Sequence, residues 1–219
     1  MATQLEDTLV SGYRRLAAET PRRRIDIELR ALDILFALLF GVLLLPVGAV
    51  IALLLLVTSG RPVLYHGQRV GRGGHFFAMV KFRTLTRDAE SRLGPYLGEE
   101  LVRLTQAEYT PVGRWLKASQ LDEIPQLWNI LRGDMSFVGP RPIRARFFSE
   151  LATDLPAYWQ RLVVRPGMTG LAQVRHGYET SMAEKLSHDL EWIADRSVRL
   201  YLRTLTATGW RVLRQTFRR

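Results

Sequence analysis

Residues 34–57 read ILFALLFGVLLLPVGAVIALLLLV, 24 consecutive positions without a charge. About 20 apolar residues cross a bilayer as a helix, so length and composition mark a membrane segment rather than a buried core helix. The run begins too far into the chain, and lacks the small-residue cleavage site, to be a signal peptide. Pro46 lies in its middle, between Gly41 and Gly48. A proline there removes a helix hydrogen bond and invites a kink. Both flanks are basic, with Arg22, Arg23, Arg24 and Arg30 before the run and Arg61, Arg69 and Arg72 after it. Positive charge favours the cytoplasmic side, so a simple crossing would put one cluster on the wrong face. The reading is a re-entrant membrane helix over residues 22–60, broken near Pro46 and returning to the face it entered. Asp33 is expensive in lipid unless paired, and Arg30, three residues back, is its candidate partner.

Outward from that helix, residues 1–21 form a polar N-terminal segment with a short amphipathic helix expected over 9–18. Residues 61–219 read as one compact α/β-type unit resting on the cytoplasmic face of the membrane. Its opening carries Gly67, Gly71, Gly73 and Gly74 between the runs PVLYH and FFAMVKF, a hairpin signal. Helices are expected over 115–131, over 146–161 and over 181–219, the last with a possible break at Gly209. The fold class is α/β and mostly helical, a compact unit on a re-entrant membrane helix. The final stretch, VRLYLRTLTATGWRVLRQTFRR, sets Leu200, Leu205 and Trp210 among six arginines, including Arg218 and Arg219. That pattern suits an amphipathic helix packed on the protein's own core or one lying in a headgroup layer, and the nearby membrane segment favours the interfacial helix.

The chain has 219 residues, enough for a real core, and no cysteine. Structural disulfides, thiolate metal sites and cysteine nucleophiles are excluded, and four scattered histidines disfavour zinc. Lys and Arg number 31 against 21 Asp and Glu, a net charge of +10. Such a surplus implies anionic partners: nucleic acid, anionic lipid or phosphorylated substrates. No nucleic-acid motif accompanies it, and no Walker-type loop is present.

The densest chemistry lies in SQLDEIPQLWNILRGDMSFVGPRP, residues 119–142. Asp122 and Glu123 are adjacent carboxylates ahead of Pro125. Ser119 and Asp122 have capping-box spacing, so one reading is a helix cap whose acids complement the helix dipole. The other is an ionised carboxylate serving as nucleophile or metal ligand. The pair by itself admits both. Further on, Arg141 stands between Pro140 and Pro142, and Arg165 precedes Pro166 and Gly167. Guanidinium groups held by rigid backbone suit bidentate phosphate contacts.

The order of these elements resembles the bacterial sugar transferase family, the monotopic polyprenyl-phosphate phosphoglycosyl transferases. It runs from RRRIDIELRALD through the proline-interrupted helix to VKFRT, LDEIPQLWNILRGDMSFVGPRP and RPGMTGLAQV, covering about residues 23–213. The length fits the family's small form. The resemblance implies transfer of a phosphosugar from a UDP-sugar to undecaprenyl phosphate, releasing UMP. This would be the first membrane step of surface glycoconjugate synthesis, at the cytoplasmic face of the bacterial inner membrane and among its lipids. It implies Asp122 as a nucleophile forming an aspartyl-phosphosugar intermediate, Glu123 as its dyad partner, and Mg2+ as cofactor on both. It implies Lys81, Arg83, Arg141 and Arg165 as phosphate-binding residues, with Gln173 beside them. Two departures stand out. The membrane break has Leu45-Pro46 where family members often carry Ser-Pro, and the basic position before the dyad is Lys117 where arginine is common. A membrane-surface binding protein without catalysis, its dyad only a cap, is the contrasting reading.

Overall fold

The computed structural model describes residues 6–7, 9–10, 23–93, 98–175 and 181–217. Most of the N-terminal polar segment, including nearly all of the amphipathic helix expected there, lies outside the described residues, as do Arg22, Arg218 and Arg219. Helix α1, Ile25–Ser59, opens with Asp26 and Glu28 in its first turn, where acidic groups complement the dipole. The Asp26 carboxylate accepts a hydrogen bond from the Arg23 amide at 3.0 Å. The helix ends at Gly60, whose positive φ of 66° lets its N–H turn back to the Leu56 carbonyl. Its 35 residues correspond to roughly 52 Å at 1.5 Å per residue. The helical backbone continues through Pro46 without the expected break, since a proline there removes only one helix hydrogen bond.

Only Leu29, Asp33, Ala37, Ile51 and Leu55 of α1 are buried. Leu38, Val42, Leu43, Leu45, Val50, Leu53 and Val57 are each more than half exposed, as no core helix of a soluble protein would be. The helix is long and apolar enough to cross a membrane. Residues on both sides of Pro46 nevertheless pack on the same body. Leu29 and Ala37 join the main core with Leu127, Ile130, Phe137 and Tyr201. Ile51 and Leu55 join a second cluster with Phe82 and Leu116.

Asp33 is 1% exposed, and the Arg30 expected as its partner acts on it through its charge while the hydrogen bonds come from other groups. Asp33 accepts hydrogen bonds from the Ser136 hydroxyl at 2.8 Å, the Phe137 amide at 3.0 Å and the Tyr201 hydroxyl at 3.0 Å. Arg30 instead donates to the Ile130 and Leu131 carbonyls at 2.5 and 2.8 Å. Those carbonyls lie in the last turn of a helix, where no later turn supplies a full set of i+4 amides; the Ile130 carbonyl takes the Gly133 amide at 3.0 Å as well as the guanidinium.

After α1, strands β1 (Leu64–Val70) and β2 (Phe76–Phe82) form the expected hairpin, paired from Leu64 opposite Phe82 to Val70 opposite Phe76. Short helices α2 (Ala89–Leu93), α3 (Gly98–Ala107) and α4 (Gly113–Ser119) follow. The single helix expected over 115–131 is in fact α4, a 3₁₀ turn (Leu121–Glu123) and α5 (Gln126–Arg132). Gln120 stops α4 by adopting the left-handed conformation, φ 58°. Strand β3 (Ser136–Val138), helix α6 (Ala145–Asp154), a 3₁₀ segment (Pro156–Val163) and strand β4 (Gly167–Thr169) come next, β3 and β4 pairing in parallel. The helix expected over 146–161 thus divides ahead of Pro156, which cannot continue it. Helices α7 (Leu171–Arg175), α8 (Met182–Asp195) and α9 (Val198–Phe217) complete the chain, the division falling at residues 196–197 rather than at Gly209. On α9, Tyr201 and Thr204 are buried and Leu200 and Leu205 pack on the core, while Leu202, Trp210 and Leu213 are exposed. One face of α9 therefore serves the core, and the open remainder mixes these apolar side chains with exposed Arg199, Arg203 and Arg214.

Candidate active site

The site is assembled where α5 docks on the edge of β2. Asn129 lies fully buried in α5. Its Oδ1 accepts from the Val80 amide at 2.9 Å, and its Nδ2 donates to the Ala78 carbonyl at 2.8 Å and to Asp134 Oδ2 at 3.2 Å. One amide side chain thus completes the strand edge as a neighbouring strand would, and sets the register between hairpin and helix. That register brings Lys81 to the turn ahead of α5, where its Nζ lies 2.6 Å from Glu123 Oε1.

The dyad occupies the 3₁₀ turn between α4 and α5, with Pro125 at the N-cap position of α5 and no side-chain cap there. The Ser119 hydroxyl points back to the Trp115 and Leu116 carbonyls at 2.9 and 3.2 Å. The capping-box reading is therefore overturned. Asp122 is 2% exposed; its Oδ2 lies 3.8 Å from Lys117 Nζ, and its Oδ1 is buried without a hydrogen-bond partner. Burial pushes the Asp122 carboxyl above the usual carboxylate range, Lys117 opposing and the Glu123 charge reinforcing the rise. Burial would raise Glu123 too, but the Lys81 ammonium, and then Arg141, hold it below that range. Adjacent carboxyls driven in opposite directions are suited to different tasks.

Arg141 reaches this neighbourhood through the β3–β4 pair. The Gly139 amide donates to the Thr169 carbonyl at 2.8 Å, and the Gly167 amide to the Pro140 carbonyl at 2.9 Å. A Cβ on Gly167 would lie 2.1 Å from the Gly139 nitrogen, so the two loops meet backbone to backbone and only glycine fits. Gln173 sits beside the same loops. Both polar atoms of its side chain are buried without a partner, and its Oε1 would lie 2.8 Å from a Cβ on Gly170.

The other two expected phosphate ligands, Arg83 and Arg165, make contacts with backbone carbonyls. Arg83 Nη2 donates to the Ser59 and Gly60 carbonyls at 2.6 and 2.9 Å, closing the end of α1. Arg165 Nε donates to the Gly133 carbonyl at 2.8 Å, and the residue lines a cavity with Arg30, Asp33 and Ser136 whose lining does not include Asp122 or Glu123. Both guanidinium groups satisfy helix C-terminal carbonyls, groups that exist only once the helices have formed. Sequence reasoning missed Asn129 and Gln126. Gln126 is 2% exposed, with a buried Nε2 lacking a partner. The available signal was two amides inside an otherwise apolar helix, IPQLWNIL.

Among the described residues, no three His, Asp or Glu side chains gather to cage a metal. The unpartnered Asp122 Oδ1 does fit a hard divalent cation. Magnesium is commonly held by one or two carboxylates, with substrate phosphates and water completing its shell.

The family described as bacterial sugar transferase matches residues 26–215. The chain is 37% identical over 196 residues to a UDP-glucose:undecaprenyl-phosphate glucose-1-phosphate transferase of Caulobacter vibrioides, covering 84% of this chain and 71% of that protein. It is 34% identical over 172 residues to a UDP-N-acetylgalactosamine-undecaprenyl-phosphate N-acetylgalactosaminephosphotransferase of Aeromonas hydrophila, covering 77% of this chain but only 40% of that protein. An undecaprenyl-phosphate galactose phosphotransferase of Salmonella typhimurium is 39% identical over 126 residues, 53% of this chain and 26% of its own length. With a family match that spans nearly its whole length, this chain belongs to the bacterial sugar transferase family.

Proposed function

We propose that the protein transfers a sugar 1-phosphate from a UDP-sugar to undecaprenyl phosphate, with release of UMP. The observation that carries this reading is the buried dyad, its two carboxyls driven apart and surrounded by Lys81, Lys117 and Arg141. Asp122, the more basic carboxyl and the one with an unpartnered oxygen, is the nucleophile. One oxygen of its carboxylate attacks the β-phosphorus of the sugar nucleotide, the bond from that phosphorus to the oxygen bridging the α-phosphate breaks, and UMP departs. An acyl phosphate remains on Asp122. A phosphate oxygen of undecaprenyl phosphate then attacks the same phosphorus, the acyl oxygen leaves, and the Asp122 carboxylate is restored. Glu123 stays ionised and holds Lys81 in place, while Lys117 and Arg141 face the charge that accumulates on the phosphoryl oxygens. Asp122, with Glu123 beside it, would hold Mg2+, which neutralises diphosphate charge when bound.

The same reading places α1 in the membrane as a re-entrant helix, with the active site on the cytoplasmic face of the bacterial inner membrane. The support is that both arms pack on one polar body. The N-terminal end carries the Arg196–Asp26 pair at 2.6 Å, and the C-terminal end carries Arg83 on the Ser59 carbonyl. Both ends then need water on one side, and basic flanks favour the cytoplasmic one. Exposed Trp115, Trp128 and Trp210 are suited to the headgroup layer.

The test is UMP release from a panel of UDP-sugars, with and without polyprenyl phosphate. Magnesium and the right donor alone should leave one phosphosugar on the peptide containing Asp122. Absence of that adduct under rapid quench, together with initial rates fitting only a ternary complex, would reject the covalent route. No turnover of any donor would favour the non-catalytic membrane binder.

A further inference from the structure

Behind the Arg141 loop lies a buried charged cluster that the proposed chemistry does not use. Arg161, at the end of the 3₁₀ segment, directs its guanidinium to three different partners. Nε donates to Asp189 Oδ2 on α8 at 2.9 Å, Nη1 to the Tyr158 hydroxyl at 2.5 Å, and Nη2 to the backbone carbonyl of Arg141 at 2.8 Å. Arg161, Asp189 and Tyr158 are 8%, 5% and 2% exposed, and their surroundings include Val70, Phe148, Leu162 and Leu186.

Stability alone is a weak account of this arrangement. In such apolar surroundings a buried ion pair is often no better than hydrophobic side chains of similar volume, because both charges must be desolvated. What an apolar pair cannot do is grip a carbonyl. Pro140 and Pro142 flank Arg141 and have no N–H, so this stretch lacks two of the donors by which a loop is usually fastened. The β3–β4 contacts hold it up to the Pro140 carbonyl; the next carbonyl along, that of Arg141, is the one Arg161 takes. We infer that Arg161, braced by Asp189 and Tyr158, is a positioning residue: it fixes the Arg141 backbone so that the Arg141 guanidinium meets the donor diphosphate beside Asp122. The inference rests on the reading of Arg141 as a phosphate ligand.

A displacement of about 1 Å at a reacting centre can lower a rate about 100-fold, and loss of the clamp should act on that scale. The experiment measures UMP release by the full chain in detergent. Arg161→Met combined with Asp189→Leu removes both charges without stranding either. This pair should leave the melting temperature within a few degrees of wild type and lower kcat/KM by about 100-fold. Arg161→Lys, which can keep the ion pair but cannot reach three partners at once, should stay impaired. The decisive arm is epistasis: in an Arg141→Ala background, the paired change should cause no further loss, because its effect passes through Arg141. Wild-type activity of the paired variant, or losses that multiply with Arg141→Ala, would overturn the positioning role alone. Full activity of Arg141→Ala would instead remove the phosphate-binding reading and the inference with it. Should the paired variant fail to fold, Tyr158→Phe loosens one brace. It should lower kcat/KM about tenfold in wild type and not at all in the Arg141→Ala background, and any other pattern rejects the clamp.

Discussion

Lys81→Met tests the electrostatics of the site most directly. Methionine keeps the unbranched shape of the side chain, one heavy atom shorter, and removes its charge. The Lys81 and Glu123 side chains are 12% and 14% exposed and their charged atoms lie 2.6 Å apart, so the change strands a buried carboxylate. Breaking a buried pair in this way costs about 3–5 kcal/mol. For a chain of this size, 1 kcal/mol moves Tm by about 2–4 °C, giving an expected fall of roughly 6–20 °C at neutral pH. The pH dependence carries the sign. In the wild type, Glu123 has a lowered pKa; its stabilisation is present above the ordinary carboxylate pKa and is lost as pH falls through the lowered value. In the variant, burial acts unopposed by Lys81 and the pKa rises, so Glu123 destabilises the fold increasingly as pH climbs through that range. The gap between the two proteins should therefore widen from pH 4 to pH 8, and the acid limb of the pH–rate profile should move to higher pH. Melting curves across that range in one detergent, with UMP release measured alongside, provide the assay. Adding Glu123→Gln to Lys81→Met should recover most of the lost Tm without recovering activity. A pH-independent gap below about 3 °C, with the acid limb unmoved, would refute the reasoning.

Three further outcomes are expected. Asp122→Asn should abolish UMP release and the phosphosugar adduct while leaving Tm unchanged or slightly raised, since Asp122 caps no helix and its charge is disfavoured by burial; a melting curve and a quench experiment check both parts. Tyr201→Phe removes one of three donors to the buried Asp33 and should lower stability by about 1–3 kcal/mol, read as a fall in Tm. In this cysteine-free chain, Arg24→Cys and Thr58→Cys should react alike with a membrane-impermeant reagent, both protected in intact cells and both labelled in inverted vesicles; opposite labelling would establish a spanning helix.

The hairpin and the apolar helix were legible because each is a local pattern. Alternation with clustered glycines specifies one, and uninterrupted apolar length the other. The division of the stretch 115–131 was not, because Gln120 rather than glycine or proline takes the left-handed turn. Neither were the destinations of Arg83 and Arg165. Their motifs resemble phosphate-binding elements, yet each guanidinium goes to carbonyls at the end of a helix distant in sequence, Ser59 and Gly60 for one and Gly133 for the other.

From the sequence alone came the adjacent carboxylates, the membrane-length helix with Pro46 inside it, and the proline-flanked Arg141, all matters of composition and spacing. The tertiary structure decided which carboxyl is held ionised and which is left with a free oxygen. That depends on Lys81, 42 residues from Glu123 along the chain but in contact with it through the register Asn129 imposes. Coulombic attraction and desolvation act through space over a few ångströms, so two neighbouring acids equivalent in the sequence become unlike only when folding brings Lys81 against one and leaves Asp122 Oδ1 buried and unpartnered.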